Sequence, residues 1–287
     1  MKLACFRFGE TDHVGIVDEA RQSVRAITGV AGMLDLIERY REIGARVETG
    51  GAELPLSDVH LLAPIPLPRR NIFCVGKNYR QHAYEFSRSG FEAGAVKGAE
   101  IDDYPAVFTK PPSAVIGPEA AVQLHPHVTS SVDYEAELAV VIGAAGRDIA
   151  KPDALRHVFG YTIVNDVTAR DRQRKHKQWF LGKALDTFCP MGPWITTADE
   201  IDPQELAVKC WVNRELRQDG NTRDLIFDIP SLIAIISAGL TVLPGDIIAT
   251  GTPAGVGIGR DPPLFLKPGD VVSISISGIG TLTNRFA

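Results

Sequence analysis

The sequence has no long hydrophobic run, which argues against a membrane protein. Its apolar stretches, such as Leu138 to Ile142, are far shorter than the ~20 residues that span a bilayer. The N-terminal residues, MKLACFRFGETD, contain no apolar core of signal-peptide length. Cysteine is scarce as well, because the four cysteines form no CxxC pair and indicate no disulfide framework. We therefore expect a cytoplasmic protein with reduced thiols and no membrane partner.

Positive charge is not in excess, which argues against nucleic acid as a partner. The chain has 30 Lys and Arg residues against 35 Asp and Glu residues, a formal net charge of -5, and it contains no basic tract. Proteins that bind nucleic acid or anionic membranes rely on clustered positive charge. The 287 residues, 45% hydrophobic and 23% charged, have an ordinary globular composition. This length and composition predict one large domain, or one with a small appendage.

Prolines mark a division of the chain near residue 66. Before that point, Lys2 to Phe8 and Val14 to Val17 are typical of two short strands. Apolar residues at helical spacing between Leu36 and Val47 predict a helix. The stretch from Leu62 to Arg70 holds three prolines, which lack amide donors and favour a linker. We predict a small N-terminal α+β domain over residues 1–66.

The remainder, residues 67–287, is predicted to be a larger, β-rich domain. Short apolar runs alternate with Gly and Pro, and between Val272 and Ile276 apolar residues alternate with serines, as in a half-buried strand. Pro-Gly-Asp occurs at 244–246 and 268–270, each time before an apolar run, which favours a meandering antiparallel sheet. Three helices are predicted, over residues 82–88, 168–180 and 231–238. The expected fold class is therefore α+β with a dominant sheet.

An acidic segment, Asp133-Tyr-Glu135-Ala-Glu137, precedes the apolar run from Leu138 to Ile142. Because side chains alternate along a strand, the three carboxylates are expected to point the same way. A run that is apolar on both faces is typical of a central, covered strand. Two interpretations stay open: an exposed acidic face at the end of a sheet, or a hard divalent cation, Mg²⁺ or Mn²⁺, held by oxygen ligands.

Asp166 is a candidate third ligand for such a cation. The run from Tyr161 to Val164 predicts a strand that ends at Asn165 and Asp166. An Asp at the end of a strand is placed like many metal ligands, although an isolated one is more often a helix cap. Three carboxylates would leave positions free for water and substrate.

His82 and Glu85 are a candidate general base. They are three residues apart, so on a helix their side chains meet on one face. A carboxylate beside an imidazole orients the ring, and the pair can remove a proton from water or substrate. The spacing alone is also common on ordinary surface helices. The segment 86–104, rich in Gly and charge, is predicted to be a lid loop.

Taken together, these segments resemble the fumarylacetoacetate hydrolase superfamily. The resemblance covers about residues 70 to 287, with the motifs in family order. The matching segments are Cys74-Val-Gly-Lys-Asn-Tyr79 with His82 and Glu85, Phe108-Thr-Lys110-Pro-Pro-Ser113, Asp133-Tyr-Glu135-Ala-Glu137, Asn165-Asp166-Val-Thr-Ala-Arg170-Asp, Gly182-Lys183-Ala-Leu-Asp186-Thr-Phe-Cys-Pro190 and Thr250-Gly-Thr252-Pro-Ala-Gly255-Val-Gly257. The resemblance implies a mixed β-roll or barrel-like catalytic domain, a small leading domain and a homodimer.

The resemblance also assigns roles to individual residues. The metal ligands, for Mg²⁺ or Mn²⁺, would be Glu135, Glu137 and Asp166. His82 and Glu85 would activate water from a lid helix, and Lys183 would stabilise developing negative charge. The expected substrate contacts are Arg170, Gln173 and Thr252. Lys183 is not distinguished from other lysines by the residue patterns alone.

The implied activity is hydrolysis of the C–C bond of 2,4-dioxo acids, in the breakdown of aromatic compounds. Acylpyruvates such as fumarylpyruvate or maleylpyruvate would give pyruvate and a carboxylic acid. Two alternatives use the same metal-bound 2-oxo acid: an oxaloacetate-type decarboxylase and a hydroxymuconate-type isomerase. A non-catalytic metal- or ligand-binding protein on the same scaffold is the alternative from another class, and the presence of all five expected residue types, at Glu135, Glu137, Asp166, His82 and Lys183, argues against it.

Overall fold

The computed structural model describes residues 1–43, 46–90 and 103–287. The helices are α1 (Met33–Ile43), α2 (Arg80–Arg88), α3 (Arg170–Lys175), α4 (Phe180–Lys183) and α5 (Ile229–Ser237). The strands are β1 (Lys2–Phe8), β2 (Thr11–Asp18), β3 (Ser23–Ala26), β4 (Leu54–Pro55), β5 (His60–Leu61), β6 (Ile72–Gly76), β7 (Ala106–Lys110), β8 (Val115–Ile116), β9 (Val132–Asp133), β10 (Ala136–Ile142), β11 (Val158–Asn165), β12 (Thr168–Ala169), β13 (Cys189–Thr197), β14 (Ala207–Val212), β15 (Glu215–Asn221), β16 (Ile247–Ala249), β17 (Val271–Ile276) and β18 (Gly280–Arg285). Most of the predicted lid segment, residues 91–102, lies outside the described residues.

A mixed sheet of 12 strands forms the centre of the molecule, in the order β4-β3-β2-β1-β13-β11-β10-β16-β6-β7, with β5 beside β1 and β8 beside β13. Most neighbours are antiparallel, while β16 with β6 and β13 with β8 are parallel. A second sheet of 4 strands follows the order β15-β14-β17-β18. The α+β, sheet-rich fold class is thus confirmed. The described strands form no closed barrel, because the long sheet runs from an edge at β4 to an edge at β7.

The first 60 residues join this sheet directly. Strand β1 pairs with β13, where Lys2 lies opposite Thr196. Helix α1 buries Leu36 and Ile37 in the same apolar cluster as Val141 and Met191. The two predicted N-terminal strands and the helix are present, but strands β3, β4 and β5 were missed, and the helix begins and ends earlier than predicted. The domain boundary at residue 66 stays a prediction.

Three local features bear on the sequence predictions. The predicted helix over 168–180 is wrong in part, because Lys177 adopts a left-handed φ of 60° that separates α3 from α4. Helix α5 begins directly after Asp228, its N-cap residue, whose side chain accepts a hydrogen bond from the amide of Ser231. All four cysteines are free and buried. No helix in the described ranges is long and apolar enough to cross a membrane.

Strand β10 is the covered central strand that its sequence predicts. It lies between β11 and β16, and all seven of its residues are buried. The chain breaks its extended pairing at Tyr134, so β9 pairs with β12 while β10 pairs with β11. The expectation that all three acidic residues of this segment point the same way is therefore wrong for Asp133. Its carboxylate lies against Arg170 at 2.9 Å, outside the cluster formed by Glu135 and Glu137.

Candidate metal centre and cavity

Two neighbouring strands bring three carboxylates together. Glu137 lies in β10, Glu135 precedes that strand, and Asp166 follows β11. The amide of Asp166 donates to the carbonyl of Glu135 at 2.9 Å, and the amide of Glu135 donates to Asn165 Oδ1 at 3.0 Å. These bonds hold the two strand ends together. One oxygen from each carboxylate lies within 4.8 Å of the other two, and all three side chains are buried.

Three buried cations surround these carboxylates. Lys183 Nζ lies 2.8 Å from Glu135 Oε2 and 2.6 Å from Asp166 Oδ2. Arg170 Nη1 lies 2.7 Å from the other oxygen of Glu135. Lys110 Nζ lies 2.6 Å from Asp166 Oδ1, with its side chain fully buried. Sequence reasoning missed Lys110 as a site residue, although it lies within a motif that carried the family resemblance.

Glu137 differs from its two neighbours in its electrostatic environment. Ion pairs among the described residues reach Glu135 and Asp166, whereas Glu137 accepts a hydrogen bond from the amide of Gly251 at 2.9 Å. Burial, with the charges of Asp166 and Glu135, raises the pKa of Glu137 well above its ordinary value. Burial also opposes ionisation of Glu135, but the adjacent lysine and arginine outweigh it and hold the pKa of Glu135 below its usual range.

The donor set fits a hard divalent cation. Counting Asp133, four buried carboxyl groups lie beside three buried cations, so with all four ionised the cluster would lack one positive charge. Three converging carboxylates supply only oxygen ligands, the set that Mg²⁺ and Mn²⁺ prefer. A cation there would meet the Glu137 carboxylate, which no described side chain neutralises. Glu135, Glu137 and Asp166 are thus the residues that can hold such an ion.

Helix α2 places the predicted base at the same cavity. His82 Nδ1 lies 3.1 Å from Glu85 Oε2, one helical turn away. His82 lines a cavity together with Glu135 and Glu137. Because Nδ1 faces Glu85, Nε2 is the ring nitrogen left for proton exchange. The helix is held in place by Phe86, whose ring meets Trp179 edge-on at a centroid distance of 5.9 Å.

The three predicted substrate contacts line this cavity too. Arg170 is fully buried, and its Nη2 has no hydrogen-bond partner among the described residues. Gln173 Oε1 accepts from Arg170 Nη1 at 3.2 Å. Thr252 Oγ1 donates to the carbonyl of Ala136 at 2.9 Å and accepts from Gln218 Nε2 at 2.8 Å. The hydroxyl proton of Thr252 is therefore already used, while Arg170 offers a free donor to an anion.

All nine predicted site residues thus lie at one place, from five separate segments of the chain. Seven of them line the cavity, Asp166 completes the carboxylate cluster, and Glu85 contacts the His82 ring. Sequence reasoning did not assign Phe86 and Trp179 to the cavity wall. Aromatic residues of that kind are common in any core, so the residue pattern alone gave no signal for them.

Known proteins are similar to this chain over most of its length. A curated relative, oxaloacetate tautomerase YisK of Bacillus subtilis, is 54% identical over 239 residues, which is 83% of this chain and 76% of that protein. The solved structure of a fumarylacetoacetate hydrolase from Exiguobacterium antarcticum is 41% identical, with a TM-score of 0.86, and the match covers 100% of this chain and 99% of that one. A maleylpyruvate hydrolase from Sphingobium sp. SYK-6, solved with manganese(II) and pyruvate, is 35% identical with a TM-score of 0.80, over 100% and 99% of the two chains.

Two family descriptions account for nearly the whole sequence. Residues 1–64 match the family described as Rv2993c-like, N-terminal. Residues 71–287 match the family described as fumarylacetoacetate (FAA) hydrolase C-terminal. The match confirms the resemblance seen in the sequence motifs, while the homodimer and the cytoplasmic location stay predictions. The chain belongs to the fumarylacetoacetate hydrolase superfamily.

Proposed function

We propose that this chain is a divalent-cation-dependent enzyme that moves a proton at C3 of a small 2-oxo acid. The observation that carries the proposal is the His82–Glu85 pair, which meets the carboxylate cluster across one cavity. A general base beside a site for a hard cation is what enolisation next to a carbonyl group requires. Both the base and the proposed ligands are buried, so water would not compete for the proton.

The cation, Mg²⁺ or Mn²⁺, would be held by Glu135, Glu137 and Asp166. When bound, it would supply Lewis acidity to the 2-oxo group and lower the energy of an adjacent negative charge. Because burial and the neighbouring carboxylates raise the pKa of Glu137, binding of a cation there should favour its ionised form.

His82 would carry the proton. Glu85 orients the ring through Nδ1 at 3.1 Å, so Nε2 can take a proton from C3 and return it to the oxygen at C2, or the reverse. Glu85 is itself fixed by the amide of Gly255, which donates to Oε1 at 3.0 Å. This double anchoring keeps the imidazole in one orientation over the cavity.

Two cations of the chain would serve the substrate without exchanging protons. The ion pairs of Lys183 raise its pKa against the opposing effect of burial, so it stays charged and can stabilise an oxyanion. Arg170 Nη2, which has no hydrogen-bond partner in the described part of the chain, can bind a substrate carboxylate in a charge-assisted hydrogen bond. Neither group is available as a base.

Keto–enol tautomerisation of oxaloacetate is the first candidate reaction. The Bacillus relative named for this reaction is 54% identical over most of this chain. Tautomerisation needs only the transfer of one proton between C3 and the 2-oxygen, which one imidazole can perform. It is the isomerase-type chemistry that the sequence left open as an alternative.

Hydrolysis of an acylpyruvate is the second candidate, and the one that the sequence motifs favour. One solved relative is named as a maleylpyruvate hydrolase, and another as a fumarylacetoacetate hydrolase. Here His82 would take the proton from a water that attacks the distal carbonyl, and the C3–C4 bond would break to release pyruvate and an acid. The two reactions differ in one requirement, a water molecule placed beside the base.

The experiment compares products from enol-oxaloacetate, acetylpyruvate and fumarylpyruvate with Mn²⁺ or Mg²⁺ present. Fast loss of the enol absorbance without a second acid supports the tautomerase, and equimolar pyruvate and acid support the hydrolase. Release of CO₂ from oxaloacetate would support the decarboxylase instead. The variant His82→Ala should lower the rate by about 10²–10⁴-fold, the usual contribution of a general base. Full activity in this variant, or in chelator-treated enzyme, would contradict the proposal.

A further inference from the structure

Asp133 is a buried carboxylate that the proposed reaction does not use. Its side chain is 0% exposed and accepts four hydrogen bonds. The donors are the amides of Tyr134 at 2.9 Å, Gly257 at 2.7 Å and Ile258 at 3.1 Å, and Arg170 Nε at 2.9 Å. Hydrogen bonds to an ionised acceptor are short and strong. Asp133 therefore joins a cavity residue, Arg170, to a loop on the other side of the site.

The same loop supports helix α2. The amide of Gly255 donates to both carboxylate oxygens of Glu85, at 3.0 and 3.2 Å. Phe86, also on α2, packs against Val256 and Ile258 in a small apolar cluster that is separate from the two larger cores. A cluster of this size provides few contacts of its own, so the position of the helix depends on the position of the loop.

Because the loop packs closely against Asp133 and helix α2, it cannot move far unless both of them move with it. A Cβ at Gly257 would lie 2.7 Å from Asp133 Oδ1 and 2.3 Å from the carbonyl of Leu264. A Cβ at Gly259 would lie 1.7 Å from Glu85 Oε1. The backbone of this loop thus touches Asp133 on one side and helix α2 on the other. Packed elements of this kind shift between discrete arrangements and do not deform gradually.

We propose that Asp133 is a positioning residue that couples anion binding at Arg170 to the packing of helix α2 over the cavity. The inference rests on the proposed function, in which the Nη2 of Arg170 binds the substrate carboxylate. Asp133 fixes the opposite side of the same guanidinium group. An anion that orders Arg170 favours the arrangement in which Asp133 holds the loop. By thermodynamic linkage, packing of helix α2 over the cavity favours anion binding at Arg170 to the same extent.

The test measures hydrogen exchange of helix α2 with Mn²⁺ alone and with Mn²⁺ plus oxalate, an unreactive dianion. In the wild-type enzyme, oxalate should slow exchange in α2 and in residues 255–259 by roughly 5- to 150-fold, the usual range of coupling between sites. Asp133→Asn keeps the size of the side chain but turns one acceptor into a donor, so the response of α2 should be lost. An Asp133→Asn protein that keeps the response overturns the inference, as does a wild-type enzyme without it.

Tyr134→Phe is the matched control. Tyr134 Oη donates to the carbonyl of Gly255 at 2.8 Å, so the variant loses one bond to the same loop without altering the contact to Arg170. It should keep the oxalate response. Loss of the response in both variants would mean that any loosening of the loop disturbs the packing of helix α2. That result would overturn the specific role of Asp133.

Two further measurements separate this role from a merely structural one. In enzyme saturated with Mn²⁺, Asp133→Asn should lower kcat/KM by about 10- to 100-fold, the usual effect of losing an outer partner of a site. If the variant does not fold, NMR of the wild-type enzyme with diamagnetic Mg²⁺ in place of Mn²⁺ decides, because oxalate must slow exchange of the Gly257 and Ile258 amides. Protection of α2 without protection of these amides overturns the inference. Absence of turnover with an intact oxalate response would refute the proposed function alone.

Discussion

Replacing Lys110 by methionine removes a cation that is buried beside the proposed metal ligands. Lys110 Nζ lies 2.6 Å from Asp166 Oδ1 and donates to the carbonyl of Val167 at 3.0 Å, and its side chain is 0% exposed. Methionine has a similar length and flexibility, so the change removes the charge with little loss of packing. The variant therefore tests the electrostatic role of Lys110 in the cluster.

The expected magnitude follows from the charges that remain. Breaking a buried ion pair by removal of one partner costs about 3–5 kcal/mol. Asp166 keeps its contact with Lys183 at 2.6 Å, so the lower end of that range applies. A loss of about 3 kcal/mol corresponds to a fall in Tm of roughly 6–12 °C for a chain of this size. With Lys110 gone, a divalent cation meets a more negative site, so Mn²⁺ should stabilise the variant more than the wild type.

The assay is thermal unfolding followed by circular dichroism, with EDTA and then with excess Mn²⁺. Lys209→Met is the control, since Lys209 makes an exposed ion pair with Asp219 at 3.6 Å. Exposed pairs contribute about 1 kcal/mol or less, so this variant should unfold close to the wild-type Tm. Equal Tm values for the two variants in EDTA would refute the electrostatic role of Lys110. So would an identical rise in Tm on addition of Mn²⁺ to Lys110→Met and to the wild type.

Three further predictions follow from the site. The affinity for Mn²⁺ should rise with pH, because the pKa of Glu137 is raised and the cation therefore displaces a proton from this residue. Calorimetry in two buffers of different ionisation enthalpy should detect the released proton, and an identical heat in both buffers would contradict this prediction. Glu85→Gln should lower kcat and leave the Kd for Mn²⁺ unchanged, since Glu85 orients His82 and does not belong to the carboxylate cluster. A parallel loss of Mn²⁺ binding would contradict the assignment of separate roles to Glu85 and the cluster. Gly255→Ala should abolish activity, because the new Cβ would lie 1.9 Å from the carbonyl oxygen of Arg217 and the φ of 107° is one that residues other than glycine rarely adopt. Wild-type kinetics in this variant would show that the loop can rearrange freely.

The local patterns of the sequence predicted the central strand and the helix of the base correctly. The five apolar residues from Leu138 to Ile142 are typical of a strand that is covered on both faces. The structure accordingly places β10 between two strands of the sheet, with all its residues buried. The spacing of His82 and Glu85 has a fixed consequence on a helix, because residues three apart share a face. In both cases the decisive contacts lie within one element.

The failures arose where contacts between elements decide the outcome. Asp133 was expected on the face of Glu135 and Glu137, but a break in the strand at Tyr134 turns it toward Arg170 and a distant loop. The helix predicted over 168–180 splits at Lys177, where nothing in the local composition required a left-handed residue. Charge alone gave Lys110 no distinction from the exposed lysines of the chain.

The sequence by itself determined the superfamily, the sheet-rich fold and the three carboxylates of the candidate cation site, since these depend on local periodicity and on motifs in a fixed order. Only the tertiary structure decided that Asp133 lies apart from those three carboxylates, and which of the carboxylates are paired with lysine and arginine. It also decided that one buried aspartate contacts both the cavity and the loop beneath helix α2. The physical reason is that a buried charge is stable only with partners, and those partners come from strands and loops far apart in the chain.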